Sequence, residues 1–182
     1  MPAYVETVNQ IISLGAIGMQ LVALFLVVNL LFFRKRTNKT LIFFKQYTFV
    51  ITFLIAFSST LLSLFYSDVV GFPPCELCWI NRIFIYPQVI LYGMELYKRD
   101  KAIVDQAMAL ASLSALTSIF HVYIEHGGAS TLACATGGPA TVSCATLYVY
   151  EFGYITIPLM ALTAAVFTLL LLINYKYMTR SK

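Results

Sequence analysis

The stretch FPPCELCWINRIF, residues 72–84, joins a cysteine pair to the start of an apolar segment. Its two adjacent prolines stop any helix that runs in from the N-terminal side, and proline is well tolerated in the first turn of a new helix. We therefore expect a helix to begin near Cys75. On that helix Cys78 and Arg82 are four residues apart, so they share one face.

The composition around this stretch is that of a membrane protein. Of the 182 residues 60% are hydrophobic and 11% are charged, and the mean hydropathy is +0.82. A soluble domain has about 25% charged residues, so the polar surface here is too small to cover a soluble globule. A spanning helix needs about 20 mostly apolar residues. Five segments meet that length, which predicts an all-α integral membrane protein: 11–33, 47–67, 79–97, 102–124 and 153–175.

The basic residues assign the two sides of the membrane. Apart from Arg82, they all fall between segments one and two, between segments three and four, or after segment five. These places share one side if all five segments span, and that side is the cytoplasm by the positive-inside rule. We therefore expect the N-terminus outside and the C-terminus inside, and no nucleic-acid surface despite the net charge of +4. No Lys or Arg precedes Arg34, so the first segment lacks the basic region of a signal peptide and is expected to be retained.

All four cysteines lie in or beside the two longer outside connections, 68–78 and 125–152. Disulfides persist on that side of the membrane. Four cysteines allow three connectivities, and we expect Cys75–Cys78 with Cys134–Cys144.

Three interpretations of these pairs stay open on spacing alone. A structural bond between Cys134 and Cys144 would stabilise the fold by about 3 kcal/mol, but two cysteines separated by two residues close almost no loop. That short spacing is typical of thiols and disulfides that interconvert. The first pair also suits a zinc site, whereas the nine residues inside the second pair do not.

Arg82 is the one basic residue outside the cytoplasmic clusters. A charge just inside a membrane segment is costly and commonly functional, although an arginine can also extend to the lipid interface. Because the helix start carries a partial positive charge, it favours a thiolate on the cysteine beside it. The sequence has no dinucleotide or haem motif, so a lipid-soluble quinone is the expected electron acceptor, and Arg82 would stabilise its reduced oxygen.

Two motifs carry a resemblance to a known family. PPCELCWINRIFIYP, residues 73–87, resembles the first cysteine motif of the DsbB/BdbC membrane thiol oxidoreductases, and CATLYVYEFGYITIP, residues 144–158, resembles the stretch after the second pair in the BdbC-type branch. The likeness in helix order runs over residues 45–175. It implies a DsbB-like four-helix transmembrane bundle at 45–182, preceded at 1–44 by one extra N-terminal transmembrane helix and a basic cytoplasmic loop.

The resemblance also implies a function: a protein-disulfide:quinone oxidoreductase of the bacterial plasma membrane. It would reoxidise an extracytoplasmic thioredoxin-fold thiol oxidase of the DsbA or BdbD type and pass the electrons to ubiquinone or menaquinone. The implied catalytic residues are Cys75, Cys78, Cys134 and Cys144, working as the redox-active disulfides Cys75–Cys78 and Cys134–Cys144. The implied quinone-binding residues are Cys78, Arg82 and His121, with no metal ligand.

Other interpretations remain. His121 is also explained as an interfacial histidine with a satisfied hydrogen bond. An enzyme of the vitamin K epoxide reductase type has similar chemistry, but its quinone-facing cysteine pair lies in a late helix, whereas here that pair opens an early one. The alternative is a protein that is not an enzyme: a membrane subunit with structural disulfides or a zinc-binding scaffold.

Overall fold

The structure, a computed structural model, describes residues 3–32, 39–98, 103–128 and 142–180. Its helices in this part of the chain are α1 (Ala3–Phe32), α2 (Lys39–Leu64), α3 (Glu76–Lys98), α4 (Ile103–Glu125) and α5 (Ile157–Arg180). A π-helical turn, Phe65–Val69, extends α2 at its C-terminal end. The predicted all-α architecture is confirmed.

Four of these helical segments are long and apolar enough to cross a membrane: Ala3–Phe32, Lys39–Val69, Ile103–Glu125 and Ile157–Thr179. They match the first, second, fourth and fifth predicted segments. The protein is therefore a multi-pass membrane protein, with the apolar side chains of these helices facing the lipid.

The third predicted span differs from its prediction. Helix α3 has 23 residues, which gives a length of about 35 Å at 1.5 Å per residue. Its amino-acid composition, however, is less apolar than that of the four helices that can cross a membrane. The reason is a set of polar side chains that lie inside the bundle, since Asn81, Gln88 and Glu95 are all buried. A helix whose polar groups face its neighbours has a low mean hydropathy even if its lipid-facing side is apolar.

The fifth segment begins four residues later than expected, at Ile157 instead of residue 153. Gly153 has a left-handed backbone conformation with φ of 79°, which a helix cannot contain. Pro158 then occupies the first turn of α5, where its missing N–H costs nothing.

Helices α2 to α5 form a four-helix arrangement in which α4 packs on α3 and α5, and α2 packs on the same two helices. Helix α1 packs on α5 from outside this group. At the end where α2 begins and α5 ends, a tight core joins the four helices through Phe49, Tyr92, Val104, Ala107 and Leu172. We call this end the inner half, and the end that carries the cysteines the outer half.

Polar contacts also stabilise the inner half. Lys45 of α2 donates a hydrogen bond of 3.1 Å to the Met178 carbonyl of α5, and Lys176 of α5 forms an ion pair with Asp105 of α4. Helix α1 joins there through an apolar cluster in which Leu26 packs with Leu41 of α2 and Leu171 of α5. These contacts hold all five helices together at the inner half.

Candidate active site at the outer half

Cys75 forms the N-terminal cap of α3. Its carbonyl accepts the hydrogen bond from the Trp79 N–H at 3.1 Å, and its sulfur accepts a hydrogen bond from the Cys78 N–H at 3.4 Å. A side chain that accepts from the N–H groups of the first turn is the usual stabiliser of a helix start. The double proline thus leads the chain into a helix whose first turn carries both thiols.

The two thiols of this turn are close to each other and differ in environment. The Cys75 sulfur is buried and lies 3.1 Å from the Cys78 sulfur, which is partly exposed. A disulfide bond measures about 2.05 Å, so the predicted Cys75–Cys78 bond is open in this structure and both residues are thiols. A redox pair passes through both states, and the predicted bond stays a prediction.

Both cysteines lie before the apolar residues 79–97. The pKa of the Cys78 thiol is lowered to about 7, chiefly because Cys75 donates a hydrogen bond to its sulfur and in smaller part because Arg82 supplies positive charge. The same hydrogen bond, with burial, raises the pKa of Cys75. Cys78 is therefore the more acidic thiol of the pair.

Arg82 is held in place by the neighbouring helix. Its Nε donates a hydrogen bond to the Ser63 hydroxyl at 2.8 Å, and its guanidinium also donates to the Ser63 carbonyl at 3.0 Å. The guanidinium lies over the Trp79 ring, 4.9 Å from its centre, and Tyr86 reaches the same serine hydroxyl at 3.4 Å. The arginine is thus a partly buried group whose position is fixed by protein partners.

His121, near the end of α4, lies between the two cysteine regions. Its Nε2 is 3.7 Å from the Cys75 sulfur and 3.2 Å from the Cys144 carbonyl oxygen. The side-chain ligand atoms of Cys75, His121 and Cys144 all lie within 4.8 Å of one another, and all three residues are buried. One sulfur of each predicted pair is therefore brought beside the same imidazole.

Cys144 takes part in a disulfide bond. Cys134, its predicted partner, lies outside the described residues, so the Cys134–Cys144 pairing stays a prediction. Three atoms that can bind a soft metal do meet at Cys75, His121 and Cys144, but a sulfur in a disulfide is a poor ligand, so a metal could bind there only after reduction.

A cavity of about 210 Å³ opens on the other side of Cys78. Helices α1 to α5 all contribute to its lining, together with the double proline and Tyr148. The three residues predicted to bind quinone, Cys78, Arg82 and His121, all line it, as does Tyr86, the next residue of the Cys78–Arg82 face. The rest of the lining is mostly apolar, so the cavity suits an apolar ring with polar substituents at one end.

A row of stacked aromatic rings forms part of the cavity lining. Phe72 stacks between Tyr66 and Tyr148, with ring centres 5.9 Å and 4.6 Å away. This row ties the end of α2 to the connection that carries Cys144. Offset stacking of this kind contributes about 1 kcal/mol per pair beyond the area buried.

Several residues of the site have no signal in the sequence. Ser63 lies 19 positions before its partner Arg82, and Tyr148 is one of twelve tyrosines. Nothing in the first segment distinguishes Ile12, Ala16 and Met19, which line the cavity, from their lipid-facing neighbours. Only the packing of the helices identifies these residues.

A bundle of apolar helices with a reactive thiol pair, a buried histidine and an arginine around one cavity defines a class: the integral membrane thiol oxidoreductases. Comparison with known proteins agrees. The family model described as "Disulfide bond formation protein DsbB" matches residues 45–175. The chain belongs to the DsbB family, and it is a membrane oxidoreductase of disulfide bond formation.

Relatives of the chain occur in Bacillus. It is 35% identical over 134 residues to the "SPbeta prophage-derived disulfide bond formation protein B" of Bacillus subtilis, covering 74% of this chain and 87% of that protein. It is 36% identical to the "Probable disulfide formation protein C" of Bacillus cereus, covering 65% and 84%. The "Disulfide bond formation protein C" of Bacillus subtilis is 35% identical over 62% of this chain and 80% of its own. No solved structure matches the chain.

Proposed function

We propose that the protein reoxidises an extracytoplasmic thioredoxin-fold thiol oxidase and passes the electrons through Cys134 and Cys144, then Cys75 and Cys78, to a membrane quinone. The observation that carries this proposal is the position of the first pair between two sites. Cys78 lines the cavity with Arg82, while the Cys75 sulfur lies on the side of Cys144.

The first exchange takes place at the second pair. A thiolate of the partner attacks Cys134 of the Cys134–Cys144 disulfide, and the Cys144 thiolate leaves. The partner's second thiol then resolves the mixed disulfide. The partner leaves oxidised, and Cys134 and Cys144 together hold its two electrons.

The second exchange moves these electrons to the first pair. The Cys144 thiolate attacks Cys75 of the Cys75–Cys78 disulfide and Cys78 leaves as a thiolate, which the positive charge of Arg82 favours. Cys134 then attacks Cys144, which restores the second disulfide and frees Cys75. His121 is close enough to both sulfurs to take up and return the thiol proton.

The second exchange leaves Cys75 and Cys78 as thiols and restores the Cys134–Cys144 disulfide. The first pair then holds two electrons next to the cavity. When they leave with two protons, the Cys75–Cys78 disulfide closes again.

The cavity fits a quinone ring. Its volume of about 210 Å³ exceeds the roughly 150 Å³ of a protein cavity that binds benzene. Bound there, a quinone supplies a two-electron acceptor. Arg82 is oriented by Ser63 to stabilise negative charge on a quinone oxygen, and His121 lines the same space as a proton donor.

The orientation in the membrane follows from the basic residues. Lys45, Lys98 and Lys176 belong to the inner half, which we place in the cytoplasm of a bacterial cell, and the outer half with its cysteines faces the exterior. On the same grounds we divide the chain into the extra helix with its basic loop, 1–44, and the redox bundle, 45–182.

The test is an assay with the purified full chain in lipid nanodiscs, a reduced thioredoxin-fold partner and either a benzoquinone or a naphthoquinone. We expect one quinone to be reduced for each disulfide formed in the partner, followed by quinone absorbance. In Cys78→Ser quinone reduction should fall to background. Stoichiometric oxidation of the partner by the second pair should persist and show that the variant is folded.

Two results would overturn the proposal: quinone reduction that survives in Cys78→Ser, or none in the parent protein. A zinc-binding scaffold is the second candidate, favoured by the meeting of Cys75, His121 and Cys144. It predicts stoichiometric zinc in the purified protein and disulfides that do not react with the reduced partner.

A further inference from the structure

Helix α1 lies before the residues matched by the family model and outside the group of α2 to α5, yet it reaches the cavity. Ile12, Ala16 and Met19 form one side of the lining, at the spacing of one helical face. The lining also includes the double proline, Cys78 and Arg82. Helix α1 thus stands between the cavity and the lipid.

The face that α1 turns inward is polar for a membrane helix. Asn9 is 4% exposed and Ser13 is fully buried, and the Ser13 hydroxyl has no partner within the described residues. The outward face is apolar, with Ile11 and Leu14 each more than half exposed. Burying polar groups inside a membrane protein is energetically costly, so they indicate that this face of α1 has a role beyond helix packing.

Two sets of hydrogen bonds hold this wall. The Tyr66 hydroxyl donates to the Asn9 side-chain oxygen at 2.6 Å, and this buried bond joins α1 to the outer end of α2. Gln20 bridges to Thr163 of α5 at 3.1 Å and accepts from Tyr154 at 3.0 Å. The apolar cluster of the inner half holds the rest of α1. Near the cavity, α1 is therefore joined to α2 by the Asn9–Tyr66 bond.

We propose that α1 is the lipid-side wall of the quinone site, in which Ala16 limits the size of ring that fits and the Asn9–Tyr66 hydrogen bond positions the wall. This inference rests on the proposed function, since it assumes that the cavity binds a quinone. It gives the additional helix a role in choosing the electron acceptor.

The first test enlarges one residue of the wall. Ala16 is 1% exposed and lines the cavity, so Ala16→Leu places three additional carbons in the space of the ring. Gly15→Leu is the matched control, because Gly15 is exposed, a Cβ added there meets nothing within 4 Å, and Gly15 does not line the cavity. The parent and both variants are assayed with a benzoquinone carrying one isoprenoid unit and with the larger, bicyclic menadione.

We expect Ala16→Leu to raise the quinone KM about tenfold, more for menadione than for the benzoquinone, with the KM for the reduced partner unchanged. Gly15→Leu should behave as the parent. Quenching of Trp79, the one tryptophan of the chain, reports quinone binding without turnover, because its ring lies beside Arg82. The Kd from quenching should rise by the same factor as KM.

The second test removes the hydrogen bond. Asn9→Leu and Tyr66→Phe should each raise the quinone KM about fivefold with kcat unchanged. The quinone KM of the double variant should be no higher than that of either single variant, because both changes remove the same hydrogen bond. Thr7→Val is the control, since it removes an exposed hydrogen bond within α1.

The outcomes separate this inference from the proposed function. If the parent reduces quinone but Ala16→Leu binds both quinones like Gly15→Leu, α1 is not the wall and the proposed function stands. If Asn9→Leu and Tyr66→Phe act additively or not at all, their bond does not position the wall. If the parent neither binds nor reduces quinone, both proposals fail.

Discussion

The inner and outer halves of the bundle are built from the same helices but packed in opposite ways. In the inner half Tyr92, Ala107 and Leu172 are fully buried against one another, and lysines fasten the helix ends. In the outer half the helices surround a cavity, and the buried groups include Cys75, Cys144 and the His121 imidazole. The difference indicates that stability and chemistry are separated along the membrane normal.

This separation explains how a bundle can keep an open cavity. A void forfeits dispersion contacts on its lining, which destabilises the helices around it. The dense inner half offsets that loss, and it also holds α1 at its inner end. Substitutions in the two halves should therefore have different effects, on activity in the outer half and on stability in the inner half.

The largest effect is expected at Arg82 of the outer half. Arg82→Gln should lower quinone reduction about a hundredfold, because an oriented charge that stabilises a developing anion is lost. The pKa of Cys78 should rise above its value of about 7, so less thiolate is present at neutral pH. Ultraviolet absorbance of the thiolate, titrated against pH, measures the shift.

Arg82→Lys is the control for that result. It keeps the positive charge but cannot make both contacts with Ser63, so the Cys78 pKa should stay near that of the parent while quinone reduction falls. A Cys78 pKa in Arg82→Gln equal to that of the parent would show that the guanidinium does not act on the thiolate.

In the inner half, Leu172→Ala should reduce the free energy of unfolding by about 2 kcal/mol, because it leaves a cavity in a tight core. Turnover per folded molecule should not change. The adjacent Ile173→Ala, on the exposed side of α5, is the matched control and should change neither quantity appreciably. Denaturant titration with the quinone assay checks both. Loss of turnover in folded Leu172→Ala would contradict the assignment of stability to the inner half and activity to the outer half.

A smaller effect is expected at His121. His121→Ala should slow quinone reduction about tenfold, because the imidazole beside Cys75 and Cys144 no longer carries the thiol proton. The pH dependence of single-turnover transfer from Cys144 to Cys75 should change with it. An unchanged rate would instead assign His121 the role of an interfacial histidine with a satisfied hydrogen bond.

The smallest effect is expected in the aromatic row. Tyr148→Leu removes the ring stacked on Phe72 and should cost about 1 kcal/mol of stability, with quinone KM raised less than threefold. Thermal unfolding and the quinone assay measure the two quantities. A larger change in KM than in stability would make Tyr148 a ligand contact instead of a support for Phe72.

The sequence predicts the helices and one face of the site well, since both depend on local spacing. The shared face of Cys78, Arg82 and Tyr86 follows from four-residue steps, and the start of α3 follows from the two prolines. It does not predict Ser63 as the partner of Arg82, the nearness of Cys144 to Cys75, or α1 as a wall. These depend on how separate helices pack, and apolar membrane helices carry little pattern that specifies their neighbours.

The nearness of the two cysteine regions can be measured directly. In the double variant Cys78→Ser/Cys134→Ser only Cys75 and Cys144 remain, and their sulfurs lie within 4.8 Å in the structure. Mild oxidation of the membrane-embedded protein should join them in a disulfide, identified by peptide mass mapping without reductant. If both thiols stay free while each still reacts with a small alkylating reagent, direct exchange between the two pairs is contradicted.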